Sequence, residues 1–331
     1  MLGYAWRIIR YIKRPFLYIW FVVSYKIFNM QKRIPDIHFL QHKKHSNVDY
    51  YWNWHTVSAR PFLTAKESER NLEWRFNEYP LFRELSGLYG DHSGQVILDY
   101  GCGPGNDLIG FGIRSGARKI IGIDISEKAL CFAQHRLALH RIDPDRIELF
   151  CISDSSTPTI PIPDNSIDFF SSQGVIHHTS HPDQVLKELY RVLKQDGKGC
   201  IMVYNYDSIW LHLYTAYQRI ILNGKFKGLN IYDAFTKNTD GESCPIAHCY
   251  KPDEFINMCQ SAGFRETHYM GGYLSKMELD ILHTYYEASL KDGRLPAIHA
   301  QFLKDLTWDK NGYPMYNGKY AGVGGVYTLK K

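Results

Sequence analysis

Three glycines at alternate positions, Gly101, Gly103 and Gly105, follow the apolar run Val96-Ile97-Leu98 and the acid Asp99. Asn106 or Asp107 can open a helix directly after them. A strand, a glycine-rich turn and a helix start together make a nucleotide site, because glycine lets a ligand approach the backbone and the first helical N–H groups are free to donate. A second acid, Asp124, stands at the end of the apolar run Lys119 to Ile125, 21 residues beyond Gly103. That is close to the separation at which the acid of a nucleotide-binding βαβ unit meets ribose hydroxyls, with Ile125 placed to press against the adenine.

Two details select the nucleotide. A dinucleotide fingerprint needs a third glycine where this chain has Asn106, and Asp99 would repel a pyrophosphate. A carboxylate there suits a cofactor bearing an ammonium and a sulfonium, which describes S-adenosylmethionine. The run Leu98-Asp99-Tyr100-Gly101-Cys102-Gly103-Pro104-Gly105 resembles the first motif of the class I S-adenosylmethionine-dependent methyltransferases, and residues 94–204 follow that family in order and spacing. The resemblance implies a doubly wound α/β, Rossmann-like sheet of seven strands. It also implies that Asp154, after a third strand over 146–152, takes the adenine amino group. Carbonyl oxygens at the end of a fourth strand, 167–172, can face the cofactor ammonium, which nominates Gln173.

The segment after Gln173 carries His177, His178 and then Pro182, a residue suited to the first turn of a helix. It resembles the fourth-strand region of small-molecule methyltransferases of the quinone-biosynthesis type, although Leu193-Lys194-Gln195-Asp196-Gly197 replaces that group's Leu-Lys-Pro-Gly-Gly turn. Imidazole titrates near neutrality, so His177 and His178 are the catalytic candidates as general base; the alternative is a pair that buttresses the strand end. Gly197 and Gly199 are expected to end the helix. Tyr204 and Asn205, at the end of a fifth strand, are the candidate substrate contacts.

An N-terminal arm over 1–45 carries nine basic residues, among them Arg7, Arg10, Arg14, Lys43 and Lys44, against Asp36 alone, a net of +8 in a chain of +5. Nothing basic recurs like this elsewhere, so nucleic acid is not an expected partner. The apolar stretch between Arg14 and Lys26 holds 11 residues, too few to span a bilayer. With Trp20 as an interfacial residue it reads as a segment lying on a membrane surface, or as a helix packed on protein. Seven cysteines without a C-x-x-C pair indicate free thiols and a cytoplasmic setting. Cys244, His248 and Cys249 lack a second ligand pair, so no metal is expected.

The division expected is an arm over 1–45, aromatic-rich lid helices over 46–93 opened by a capping box at Thr64 and Glu67, the cofactor core over 94–204, a cap insertion over 205–250, and a C-terminal part over 251–331. The final antiparallel strand is expected over 321–329. The function expected is methyl transfer to a small or amphiphilic, lipid-like acceptor. Two alternatives are an NAD(P)-dependent oxidoreductase on a similar sheet and a non-enzymatic S-adenosylmethionine-binding protein associated with membrane.

Overall fold

The computed structural model describes residues 2–31, 33–40, 46–57, 59–154 and 158–331, with side chains from residue 16 onward. The arm's Arg7, Arg10, Arg14, Lys32, Lys43 and Lys44 side chains lie outside the described residues, as does Ser155 beyond the third expected strand. In chain order, α1 (Leu2–Met30), β1 (Ile37–Phe39), α2 (Asn47–His55), α3 (Ala65–Glu78) and α4 (Phe82–Ser86) precede the first expected strand. The chain packs as two compact units, the first of Met1–Lys44, Trp52–Trp74 and Tyr89–Ser153, the second of the remainder.

The first unit is built on parallel strands. β2 (Val96–Tyr100) pairs with β3 (Lys119–Asp124), and β3 with β4 (Ile147–Cys151). Every residue of β2 is buried, which is why it reads as an unbroken apolar run. The helices α5 (Asn106–Arg114) and α6 (Glu127–Leu139) follow β2 and β3. β1 adds a short parallel edge to β4, an element without a sequence signal.

Helix α1 packs along α6. Ser24 Oγ lies 2.9 Å from His135 Nε2, the Tyr25 hydroxyl donates to Gln134 at 2.7 Å, and Phe21 and Trp20 meet the His135 ring. Trp20 therefore turns inward, which corrects its expected interfacial place. The opposite stripe, Phe16, Ile19, Val23, Ile27 and Met30, is exposed, with Phe16 and Ile19 each at 64%. Among the described residues no helix is long and apolar enough to cross a membrane.

In the second unit β5 (Ile167–Gln173) pairs parallel with β6 (Leu193–Asn205), and β6 with the two-residue β7 (Cys249–Tyr250). After β8 (Glu266–Tyr273), the small hairpin strands β9 (Thr307–Trp308), β10 (Pro314–Tyr316) and β11 (Lys319–Tyr320) form a separate antiparallel sheet. β12 (Gly324–Lys330) runs antiparallel to both β6 and β8, as expected for the last strand. The seven expected strands are present, and β1, β7 and the hairpin strands β9, β10 and β11 are additions among the described residues.

Two local readings are corrected. α7 (Pro182–Val192) stops before the glycines and β6 begins at Leu193. A Cβ on Gly199 would sit 2.2 Å from the Phe170 ring, so that glycine makes room for an aromatic side chain rather than ending a helix. At α3 the Thr64 hydroxyl accepts the Glu67 N–H at 3.1 Å, but the Glu67 carboxylate accepts from Leu63 and not from Thr64, so only half of the capping box forms.

The segment after β6 is a wide π-helix (Trp210–Leu222), followed by α8 (Ile231–Asp240), α9 (Pro252–Ser261), α10 (Lys276–Lys291) and α11 (Ala297–Lys304). His212 of the π-helix stacks on Phe302 of α11 at 3.9 Å between ring centroids. All seven cysteines are free thiols.

Candidate functional site

In the first unit the glycine turn is held by backbone bonds. Gly101 and Cys102 both donate to the Ile123 carbonyl, at 2.7 and 2.9 Å, which fixes the end of β2 against β3. Gly101, Gly103 and Gly105 all have positive φ, between 52° and 79°, a conformation that glycine adopts without strain. Gly105 meets a second demand, because a Cβ there would lie 2.9 Å from Cβ of Ala133 in α6. It is this glycine, and not one at position 106, that allows close packing at the helix start.

Asn106 has a different task. Its Oδ1 accepts from Nη2 of Arg136 at 3.2 Å. Arg136 is fully buried, and its Nε donates to Ser68 Oγ at 3.0 Å and its Nη1 to the Pro104 carbonyl at 3.4 Å. One guanidinium thus ties the glycine turn to α3.

The Asp124 carboxylate accepts the Gly103 N–H at 2.7 Å and the Ser126 N–H at 2.8 Å. Burial raises its pKa to about 6. Ser126 caps α6 by accepting from Ala129, so Asp124 is not the capping residue. Ile125, beside it, is half-buried, and Asp99 is buried within β2.

In the second unit Asp154 accepts from both the backbone and the hydroxyl of Ser180, while its own N–H donates to Asp49 at 2.8 Å. Gln173 donates from Nε2 to the Cys200 carbonyl at 3.1 Å. Its Oε1 is buried with no hydrogen-bond partner among the described residues.

The histidine pair sits on a single 3-10 turn, Ile176–His178. His177 is enclosed; its Nδ1 accepts the Tyr204 N–H at 3.3 Å and its ring stacks on that of Tyr204. The tautomer that accepts at Nδ1 carries its proton on Nε2. Desolvation pulls its pKa well below the usual histidine value. His178 is arranged the other way round, with Nδ1 2.7 Å from the Ile246 carbonyl and Nε2 3.9 Å from Asp240 Oδ1. Burial lowers its pKa to about 4.

The Tyr204 hydroxyl donates to Asp240 Oδ1 at 2.9 Å, and the Tyr51 hydroxyl donates to the Asp240 carbonyl at 2.5 Å. Burial raises Asp240 to about 6. Asp240 and Tyr51 were not nominated by the sequence, where Cys244 stands only in the set with His248 and Cys249; Asn238-Thr239-Asp240-Gly241 reads as a loop, whereas α8 runs through Asp240 and only Gly241 leaves it. Asn205 is fully buried, and its amide is spent on Asp207 and Gly322, so it pins the strand end to β12's approach.

Residues 98–201 match the methyltransferase domain family. An uncharacterized methyltransferase of Schizosaccharomyces pombe is 32% identical over 105 residues, covering 31% of this chain and 38% of that one. A ubiquinone/menaquinone biosynthesis C-methyltransferase of Laribacter hongkongensis is 30% identical over 129 residues, covering 39% and 50%. The chain spans about a third to a half of the length of these curated relatives. Among solved structures, the phosphoethanolamine N-methyltransferase 2 of Haemonchus contortus in complex with S-adenosyl-L-methionine covers 88% of this chain and 61% of its own, at a TM-score of 0.50 and 16% identity, a likeness of fold.

Parallel strands, a glycine turn closing the first of them and an acid closing the second define a Rossmann-like methyltransferase domain. Over residues 98–201 the chain is similar to S-adenosylmethionine-dependent methyltransferases, and the glycine turn and Asp124 lie within that stretch. The nicotinamide-dependent alternative is set aside.

Proposed function

We propose that this chain transfers the methyl group of S-adenosylmethionine to a small or amphiphilic acceptor, with positioning and exclusion of water as its main contributions. The observation that carries this reading is the bond from Gly103 to Asp124, which fastens the acid to the glycine turn and leaves carboxylate lone pairs for a ribose diol. In this reading Asp99, Gly101, Gly103 and Gly105 cradle the cofactor and Ile125 borders the adenine. Asp154, already held by Ser180, would receive the adenine amino group, and the orphaned Gln173 Oε1 would receive the ammonium. When bound, the cofactor supplies the activated methyl group.

A general-base role fits His177 poorly, because Nδ1 is occupied and Nε2 carries the proton. We therefore assign the histidine pair to holding Tyr204 in place, with Tyr204 as the acceptor contact. Asn205 receives no acceptor role. The segments 46–93 and 205–250 serve as lid and cap.

The exposed apolar stripe of α1, with the basic character of the arm, supports contact with a membrane surface and hence an acceptor drawn from lipid-like or quinone-like compounds. The test uses methyl-labelled S-adenosylmethionine, the protein and a whole-cell extract, separated afterwards into lipid and aqueous fractions. Label in the lipid fraction is the expected outcome, and label in the aqueous fraction alone would overturn the membrane reading. Label in neither, with S-adenosylhomocysteine still binding, would overturn methyl transfer.

A further inference from the structure

We propose that His178, Asp240 and Cys244 bind a zinc ion. The imidazole nitrogen, a carboxylate oxygen and the thiol sulfur of these residues all lie within 4.8 Å of one another, and His178 Nε2 is 3.9 Å from Asp240 Oδ1. Tetrahedral zinc with nitrogen, oxygen and sulfur ligands needs separations of roughly 3.3–3.8 Å, so closure asks for shifts of about 1 Å. Cys244 can supply the shift of its own sulfur, since it stands in a loop outside any helix or strand, and rotation of the Asp240 carboxylate would supply the other.

Three further observations favour a cation there. His178 donates from Nδ1 to the Ile246 carbonyl, which leaves Nε2 as the unprotonated, ligating nitrogen; metal-bound histidines are oriented by such a partner. Tyr204 occupies Asp240 Oδ1, whereas Asp240 Oδ2 is buried without a hydrogen-bond partner among the described residues. The charges also balance, because a carboxylate, a thiolate and a neutral imidazole together neutralise a divalent ion in a site with little water.

The ion would join the turn that carries His178 to the end of α8 and leave its fourth position for water. Of the sequence trio Cys244, His248 and Cys249, from which no metal is expected, only Cys244 is among the convergent described residues. A thiol must lose its proton to ligate, so loading releases a proton and tightens as pH rises.

The experiment strips the full chain with a chelator and titrates it with Co²⁺ in the absence of S-adenosylmethionine, so its result is independent of methyl transfer. One equivalent should bind with the visible bands of tetrahedral cobalt and a thiolate-to-metal charge-transfer band, and Zn²⁺ should displace it. Cys244→Ala should abolish the charge-transfer band, Asp240→Asn should weaken binding at least about tenfold, and Cys249→Ala should change neither. Cys244→Ser serves if the alanine variant does not fold. A wild-type chain without the charge-transfer band, or a Cys244 variant that keeps it, would overturn the proposal.

Discussion

The backbone N–H of Tyr204 donates to Nδ1 of His177, and the two rings stack with centroids 3.8 Å apart. One histidine thus fixes both the backbone and the ring of the tyrosine we assign to the acceptor. His177→Ala removes the acceptor for a buried N–H and opens a cavity, and should cost about 2–4 kcal/mol by thermal or urea unfolding. His177→Asn, whose Oδ1 can take the same N–H, should recover more than half of the lost kcat. Equal kcat loss in both variants, with a wild-type rate that titrates with a histidine between about pH 6 and 7, would restore the general-base role.

Asp124 gives opposite signs for folding and for binding. Its pKa rises from 3.8 to about 6 on burial, so between those values the folded chain holds a proton that the unfolded chain has released. That contribution to stability is present below the unfolded pKa and is lost as pH rises through about 6. The ionised carboxylate is the better acceptor for ribose hydroxyls, so S-adenosylhomocysteine should bind more weakly as pH falls below about 6. Calorimetry should show Asp124→Ala weakening that binding about 100-fold at neutral pH, or about 2.7 kcal/mol. An affinity unchanged by the substitution would remove Asp124 from the cofactor site.

Arg136 has no route to water and joins Ser68, Pro104 and Asn106. Arg136→Met keeps most of the volume and removes the donors, so it should destabilise the chain by about 2–4 kcal/mol and loosen the glycine turn as well. Differential scanning fluorimetry with and without S-adenosylhomocysteine separates the two effects. A variant that melts lower yet gains the same stabilisation from ligand would confine Arg136 to packing.

The outward stripe of α1 is open to direct test. Ile19→Glu with Val23→Glu places two charges on exposed positions, where they should leave the melting temperature nearly unchanged. Sedimentation with anionic phospholipid vesicles should fall at least about tenfold in the double variant. Equal sedimentation of both proteins would assign the stripe to something other than membrane.

Much of this arrangement was legible in the sequence where one residue type had one physical reason to be there. The unbroken apolar runs of β2 and β3 marked strands covered on both faces, and the spacing from Gly103 to Asp124 placed the acid at the turn. Elsewhere the local signal was ambiguous. Three residues of edge pairing, Ile37–Phe39, carry no periodicity of their own, so β1 was missed. Asn238-Thr239-Asp240-Gly241 has turn composition, yet the first three residues finish α8, and only tertiary packing brings Asp240 to Tyr204 and His178. Trp20 suits a membrane interface or a ring cluster equally well, and His135 decides for the cluster.

The tight approach of Gly105 to Ala133 bears on how this turn can vary among descendants of the chain. Two unrelated constraints meet at position 105, a left-handed φ of 79° and a neighbouring Cβ at 2.9 Å. Trimming the neighbour by Ala133→Gly would remove the nearer atom but leave the position-133 Cα 3.1 Å away, and it would not touch the backbone strain, which costs a non-glycine residue about 1 kcal/mol or more. A compensatory substitution therefore cannot rescue Gly105→Ala in one step. Any lineage that loses this glycine must rebuild the loop or abandon the cofactor.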